Sequence, residues 1–127
     1  IINELELIGD VIFSMSKNVE KKVESRTWFT PEQRNMLQDM FIKLEETFDL
    51  MNRNLNEEYG KVKGDEASLK RKELIEFANE IRKRHLQSIE RGDYNVKSGL
   101  VYTELFTACE QLNNHLFNVN ESIAGKV

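Results

Sequence analysis

The chain has 127 residues, with 39% hydrophobic and 31% charged residues, enough for one domain that buries most of its apolar surface. A net charge of −4 argues against nucleic acid as the main partner, because a phosphate backbone is held by a net basic surface. No apolar run approaches the roughly 20 residues needed to cross a bilayer, so the sequence predicts a soluble chain without direct membrane insertion. The single cysteine, Cys109, argues against a disulfide framework and a thiolate metal cage.

The first segment, from Ile2 to about Glu24, carries apolar residues at steps of three and four, which is the spacing of one buried helix face. These residues are Leu5, Ile8, Ile12, Met15 and Val19. The chain opens at Ile1 inside this pattern, so we expect it to be a piece of a longer protein.

The second segment has the clearest helix start in the chain. Thr30 is a candidate N-cap, Pro31 suits the first helical position, and Gln33 completes a capping box. The segment is predicted to run to about Glu58, with Gly60 able to end it. Its predicted core stripe is Leu37, Phe41, Leu44, Phe48, Met51 and Leu55.

Two further helices follow, each after a short connection. The third, about Glu66 to Arg91 with Asp65 or Ser68 near its start, is the most basic segment. Its stripe comprises Leu74, Ala78, Ile81, His85, Leu86 and Ile89. The fourth runs from Val96 to about Ala124, with the stripe Val101, Leu105, Cys109, Leu112, Leu116, Val119 and Ile123. The pattern predicts an all-α antiparallel bundle of four long helices, forming one domain over 1–127.

The first and last helices read as two copies of one element. Aligning Leu5 with Cys109 also aligns Glu6 with Glu110 and Asp10 with Asn114, with matching apolar neighbours. Such polar pairs, four residues apart, are either solvated helix charges or oxygen ligands for a hard cation such as iron, manganese, magnesium or calcium. Asn114 offers an oxygen but no charge, which weakens the second pair.

Both histidines can ligate a metal or titrate near neutrality, and both can instead be hydrogen-bonded structural residues. Neither His85 nor His115 has a Glu three positions before it, which argues against a ferritin-like di-iron oxidase. The sequence contains no nucleophile elbow, Gly-rich phosphate loop or zincin motif, and we therefore expect no enzymatic activity.

The stretch "LELIGDVIFSMSKNVE" resembles the L-E-R-I-G-D-H-x-x-N signature of PhoU-type phosphate-uptake regulators. The later stretch "IRKRHLQSIERGDYNVKSGLVYTELFTACEQLNNHLFNVNESI" is similar to the end of that family's domain, with a basic helix, a Ser-Gly pair and a second signature helix. The first segment followed by "TWFTPEQ" resembles the PhoU-like domain of bacterial sodium/phosphate cotransporters. The resemblance implies the last helix of one three-helix repeat plus a complete second repeat, in a domain truncated at its N-terminus.

In this family the two signature helices face one another and can hold multinuclear clusters of iron or another divalent metal. The resemblance implies Glu6, Asp10 and Glu110 as ligands, with Asn114 where an Asp is expected. The remaining signature positions fall into two groups, those that differ from the family pattern and those that match it. Val11, Ser14, Leu7 and Gln111 are departures, whereas His115, Asn118 and Glu121 match.

The resemblance implies a regulatory module of phosphate transport. Its partner would be the membrane transporter portion of the same polypeptide or a phosphate-transport complex, at the cytoplasmic face of the membrane. Two alternatives remain: a metal-binding helical module built on the signature helices, and a structural oligomerisation bundle. Apolar residues left exposed on the first helix would favour a homo-oligomer.

Overall fold

The computed structural model describes residues 1–57 and 64–125, which form four helices. They are α1 (Ile2–Glu24), α2 (Pro31–Leu55), α3 (Asp65–Arg91) and α4 (Val96–Ile123). The all-α bundle expected from the sequence is confirmed. The expected end of the second helix at Glu58, and Gly60 after it, lie outside the described residues, and α2 ends at Leu55.

Local signals set three helix ends, of which the capping box at the start of α2 was predicted from the sequence. Thr30 Oγ1 accepts a hydrogen bond from the Gln33 amide (3.1 Å), and the Thr30 amide donates to Gln33 Oε1 (2.8 Å), which completes the capping box. Gly92 ends α3 in the left-handed conformation (φ 71°), which glycine adopts without steric cost. Asn95 caps α4 by accepting from the Ser98 amide (2.8 Å).

Helix α4 is the centre of the fold and contacts each of the other three helices. Helices α2, α3 and α4 form a three-helix bundle in which α2 and α4 run parallel and α3 runs antiparallel to both. The parallel direction follows from side-chain contacts at both ends, Gln33 with Ser98 and Asn54 with Asn120. Among the helices that the structure describes, α1 packs closely on α4 alone and lies antiparallel to it.

The core is filled mainly by α4, whose buried residues include Leu105, Phe106, Cys109, Leu112 and Leu116. Helices α2 and α3 contribute most of the rest, and α1 contributes Ile8. The buried apolar side chains of α2 and α3 are Leu37, Met40, Leu44, Leu50, Met51, Ala67, Leu74, Ala78 and Ile81.

The prediction of one buried face on α1 is wrong for most of its residues. Only Ile8 is buried, while Leu5, Ile12 and Val19 are 39%, 47% and 47% exposed. The reason is that α1 packs against one helix rather than two. The part of its apolar stripe that turns away from α4 stays on the surface.

The predicted stripes of α2 and α3 also contain exposed residues. On α2, Phe41 and Leu55 are exposed at the margin of the buried face. On α3, Leu86 and Ile89 lie outside the core. On α3 the three-and-four spacing that begins at Leu74 continues through His85 to Ser88. Leu86 and Ile89 each follow a core position directly, so they are rotated by about 100° from the buried face.

None of the four helices described over 1–57 and 64–125 combines the length and hydrophobicity needed to span a bilayer.

Candidate functional site

The two helices that carry the repeated motif lie side by side. Glu4 Oε2 on α1 is 2.8 Å from His115 Nδ1 on α4, and both side chains are largely shielded from solvent. In an antiparallel pair, each step forward on α1 matches a step back on α4. Glu6 is therefore level with Asn114, and Asp10 with Glu110, to within about one helical turn of 5.4 Å.

The predicted ligands lie at similar heights along the two helices, but they do not face one another. The residues of α1 that are shielded from solvent, from Glu4 and Ile8 to Lys22, form one stripe that faces α4. Glu6 is exposed and lies about 160° around the helix from that stripe, and Asp10 is exposed about 120° from it. The acidic pair of α1 thus points away from α4.

Glu110 points toward α3 rather than toward α1. Its carboxylate forms an ion pair with the guanidinium of Arg82, which also lies over the ring of Phe106. Asn114 and Asn118 are exposed on the following turns of α4. Glu110 is the one predicted ligand that is partly buried, and its carboxylate is therefore already paired with a positive charge.

In the described part of the chain, no three His, Cys, Asp or Glu side chains converge as metal ligands do. This placement does not bring Glu6, Asp10, Glu110 and Asn114 together. Metal binding by these residues stays a prediction, and it requires Glu110 to exchange Arg82 for a cation.

His85 lies away from the acidic motif, in a cluster of aromatic rings. Its Nδ1 is hydrogen-bonded to the Tyr94 hydroxyl, and its Nε2 lies 3.2 Å from Thr103 Oγ1. Tyr102 and Phe106 surround the ring at 5.6 and 5.9 Å between centroids. Burial lowers the pKa of His85 and raises the pKa values of Tyr94 and Tyr102, so this cluster is uncharged near neutral pH.

Cys109 is fully buried in α4, as the sequence predicted. Burial, with a smaller contribution from the Glu110 charge, raises the pKa of its thiol to about 12. The thiol is therefore protonated at neutral pH and is not a reactive nucleophile.

An apolar groove lies between α1 and α2, with α4 as its floor. One part of about 490 Å³ has Ile12, Val19, Phe41 and Phe48 on its walls and Leu105 on its floor. A second part, of about 380 Å³, shares three of these residues and continues toward the first turns of α2. No polar side chain except Ser16 and Glu45 lines the first part, so among the residues described it is a surface for apolar contact.

Several contacts that organise this arrangement were not predicted from the sequence. Gln33 Oε1 reaches past its own capping box to Ser98 Oγ (3.3 Å), which joins the first turns of α2 and α4. Asn54 and Asn120 form a buried hydrogen bond of 2.8 Å at the opposite end. The only sequence signal for Asn120 was its place on the apolar face of α4 beside Val119. Arg82 and Glu4 carried no signal.

The chain matches no protein-family model, and neither the curated proteins nor the solved structures include a match.

Proposed function

We propose that this chain is a regulatory, non-catalytic module of phosphate transport, a PhoU-like domain. It acts at the cytoplasmic face of a sodium/phosphate cotransporter or phosphate-transport complex. The observation that carries the proposal is the pairing of α1 with α4. The two helices with matching motifs lie antiparallel against each other, although their acidic pairs do not meet, and the aligned residues Ile8 and Leu112 are both buried.

Two side chains with potential for catalysis have structural roles, which supports a module without catalysis. The Cys109 thiol is sealed in the core. Both ring nitrogens of His85 have hydrogen-bonding neighbours on the same bundle, Tyr94 and Thr103. Neither group is available to attack a substrate or to accept its proton.

The architecture supports regulation through α1. Because α1 packs closely only on α4 within the described part of the chain, its docking can change while the α2–α4 bundle keeps most of its core. A change of that kind alters the groove between α1 and α2, which α1 helps to form. The transporter would sense the module through this movable helix.

The test is uptake of radiolabelled phosphate by cells that encode this chain, grown with scarce and with abundant phosphate. One strain carries an in-frame deletion of residues 1–127 and another carries Ile8→Asp, which places a charge in the α1–α4 contact. We expect both strains to lose most of the difference in uptake between the two growth conditions.

Ser14→Asp serves as the matched control, because it adds the same charge at an exposed position of α1. This strain should respond to phosphate as the unmodified strain does. Unchanged uptake and an unchanged phosphate response in the deletion strain would refute the proposed function.

A further inference from the structure

Helix α1 carries a second apolar stripe that no part of the described chain covers. It steps by three and four along the whole helix and lies about 110° around α1 from the side that faces α4. Its members are Ile2, Leu5, Gly9, Ile12, Ser16, Val19 and Val23, all of them exposed. We call these seven residues the outer stripe.

The outer stripe has the pattern of a helix-packing seam. Alternating steps of three and four keep a row of side chains facing one partner helix, as in a coiled coil. From Ile2 to Val23 it runs about 32 Å, at 1.5 Å per residue. It borders the apolar groove, whose wall includes Ile12, Ser16 and Val19.

The side-chain sizes along the outer stripe read the same from either end. Two large residues, a small one, a large one, a small one and two large ones follow in order. With Ile12 at the centre, Gly9 and Ser16 come opposite each other between two antiparallel copies, and Leu5 comes opposite Val19. A surface that matches itself in this way is what a two-fold symmetric interface requires.

Charge selects the antiparallel direction. The first half of α1 carries three acidic residues, Glu4, Glu6 and Asp10, and no basic residue, whereas the second half carries three lysines and two glutamates. Glu4 faces α4 and is hydrogen-bonded to His115, so a parallel pair would set the two exposed acidic residues, Glu6 and Asp10, against the same residues of the other copy. An antiparallel pair sets each acidic half against a half that is net positive.

Gly9 has no role within the chain that the structure reveals. A side chain at this position would meet nothing within 4 Å, and its φ is not in the left-handed region. Glycine inside a helix is less stable than alanine, so the fold itself would favour a larger residue. At an exposed position of the seam, however, a glycine allows a second helix to approach closely.

From these observations we infer that α1 is the dimerisation helix of this protein. Two copies associate through antiparallel α1 helices along the outer stripe, with Ile12 at the two-fold axis. Each α1 also covers the groove of the other copy and contacts the exposed ring of Phe41 on its α2. Phe13, 63% exposed beside Ile12, is shielded at the centre of the same interface. This inference does not rest on the proposed function.

The first test is sedimentation equilibrium of the full chain over a wide concentration range. Gly9→Gln introduces a bulky, uncharged side chain into the seam at a site where the monomer has open space. Ser14→Gln introduces the same side chain on the same helix outside the seam. We expect wild type and Ser14→Gln to dimerise equally, and Gly9→Gln to weaken association by at least about tenfold.

Thermal unfolding of dilute Gly9→Gln protein verifies that the variant remains folded, because its monomer should be no less stable than wild type. A wild-type chain that stays monomeric at the highest concentration would overturn the inference. So would equal dimerisation of all three proteins.

The second test distinguishes the direction of pairing by air oxidation of single-cysteine additions. Ile12→Cys places two thiols at the two-fold axis and should form a covalent dimer. Ile2→Cys places them about 32 Å apart and should not. Wild type, whose Cys109 is buried, gives the background. Cross-linking by both variants would indicate a parallel pair, and by neither a different interface, and either result would refute the proposal.

Discussion

His85 illustrates how a single side chain acquires its properties from its neighbours. The sequence allowed a metal ligand, a titrating group or a structural residue. The aromatic rings of Tyr94, Tyr102 and Phe106 decide among these, because they remove the imidazole from water. Gly99 lies beside the ring, and a Cβ at this position would be 3.4 Å from His85 Cε1, an ordinary contact, and 3.2 Å from Ile89 Cδ1.

The lowered pKa of His85 predicts a stability that depends on pH. The unfolded chain binds a proton at His85 below its ordinary pKa of 6.5, while the folded chain does so only at lower pH. Between these two values the unfolded state binds more protons, so stability falls as the pH is lowered through this window. Below the pKa that His85 has in the folded protein, its whole contribution to this pH-dependent stability is lost. Urea unfolding from pH 7.5 downward, in small steps, would measure it.

His85→Gln removes this titration and should flatten the stability profile just below pH 6.5, although it also lowers stability overall. Glu32 and Arg84 line the same small cavity as His85 and are unchanged in the variant. An identical slope in wild type and His85→Gln would contradict the assignment.

At the scale of a single helix, the start of α2 is the feature that the sequence predicted best. Thr30, Pro31 and Gln33 act through contacts within four residues, so the capping box follows from local sequence and is observed. The link from Gln33 to Ser98 is different in kind. It joins residues far apart in the chain and depends on how α2 and α4 pack.

Thr30→Ala should destabilise the protein by about 1 kcal/mol, because the Gln33 amide loses its side-chain acceptor at the helix end. Thr30→Ser keeps a hydroxyl in place and should retain most of the stability. Chemical unfolding followed by far-UV circular dichroism measures both. Equal stabilities of the two variants would show that the capping hydrogen bond contributes little.

The paired helices α1 and α4 give the metal hypothesis a specific test. The metal hypothesis requires that elemental analysis of purified protein finds iron, manganese or zinc near one equivalent, and that a Glu6→Gln/Glu110→Gln variant loses it. Because Arg82 holds Glu110, Arg82→Gln should increase the retained metal. If wild type and both variants contain no metal, the repeated motif has a purely structural role.

At the scale of the whole molecule, a buried pair of amides fixes how α2 and α4 are aligned. Asn120 is 1% exposed and accepts a hydrogen bond from Asn54 at 2.8 Å, while its own amide group donates to the Leu116 carbonyl. With the Gln33–Ser98 contact at the other end, the two parallel helices are joined by polar contacts near both of their ends. Apolar packing alone would tolerate a shift along the helix axis more readily.

Asn54→Ala should cost about 1–3 kcal/mol, because it leaves the Asn120 oxygen buried without this donor. Replacing both residues, in Asn54→Leu/Asn120→Leu, removes the unsatisfied group and should recover much of that loss. A double-mutant cycle from urea unfolding gives the coupling between the two side chains. Additive effects of the two substitutions would indicate that the hydrogen bond is energetically unimportant.

The sequence by itself determined the four helices, the all-α class and the cap of α2, because periodicity and capping act over a few residues. It also matched α1 with α4 as repeated elements. Only the tertiary structure decided that α4 is central and that α1 has a single neighbour. Glu6, on the far side of α1, and Glu110, beside Arg82, show why the site could not be derived. A spacing of four residues places two side chains on one side of a helix, but the packing of the other helices decides what that side meets.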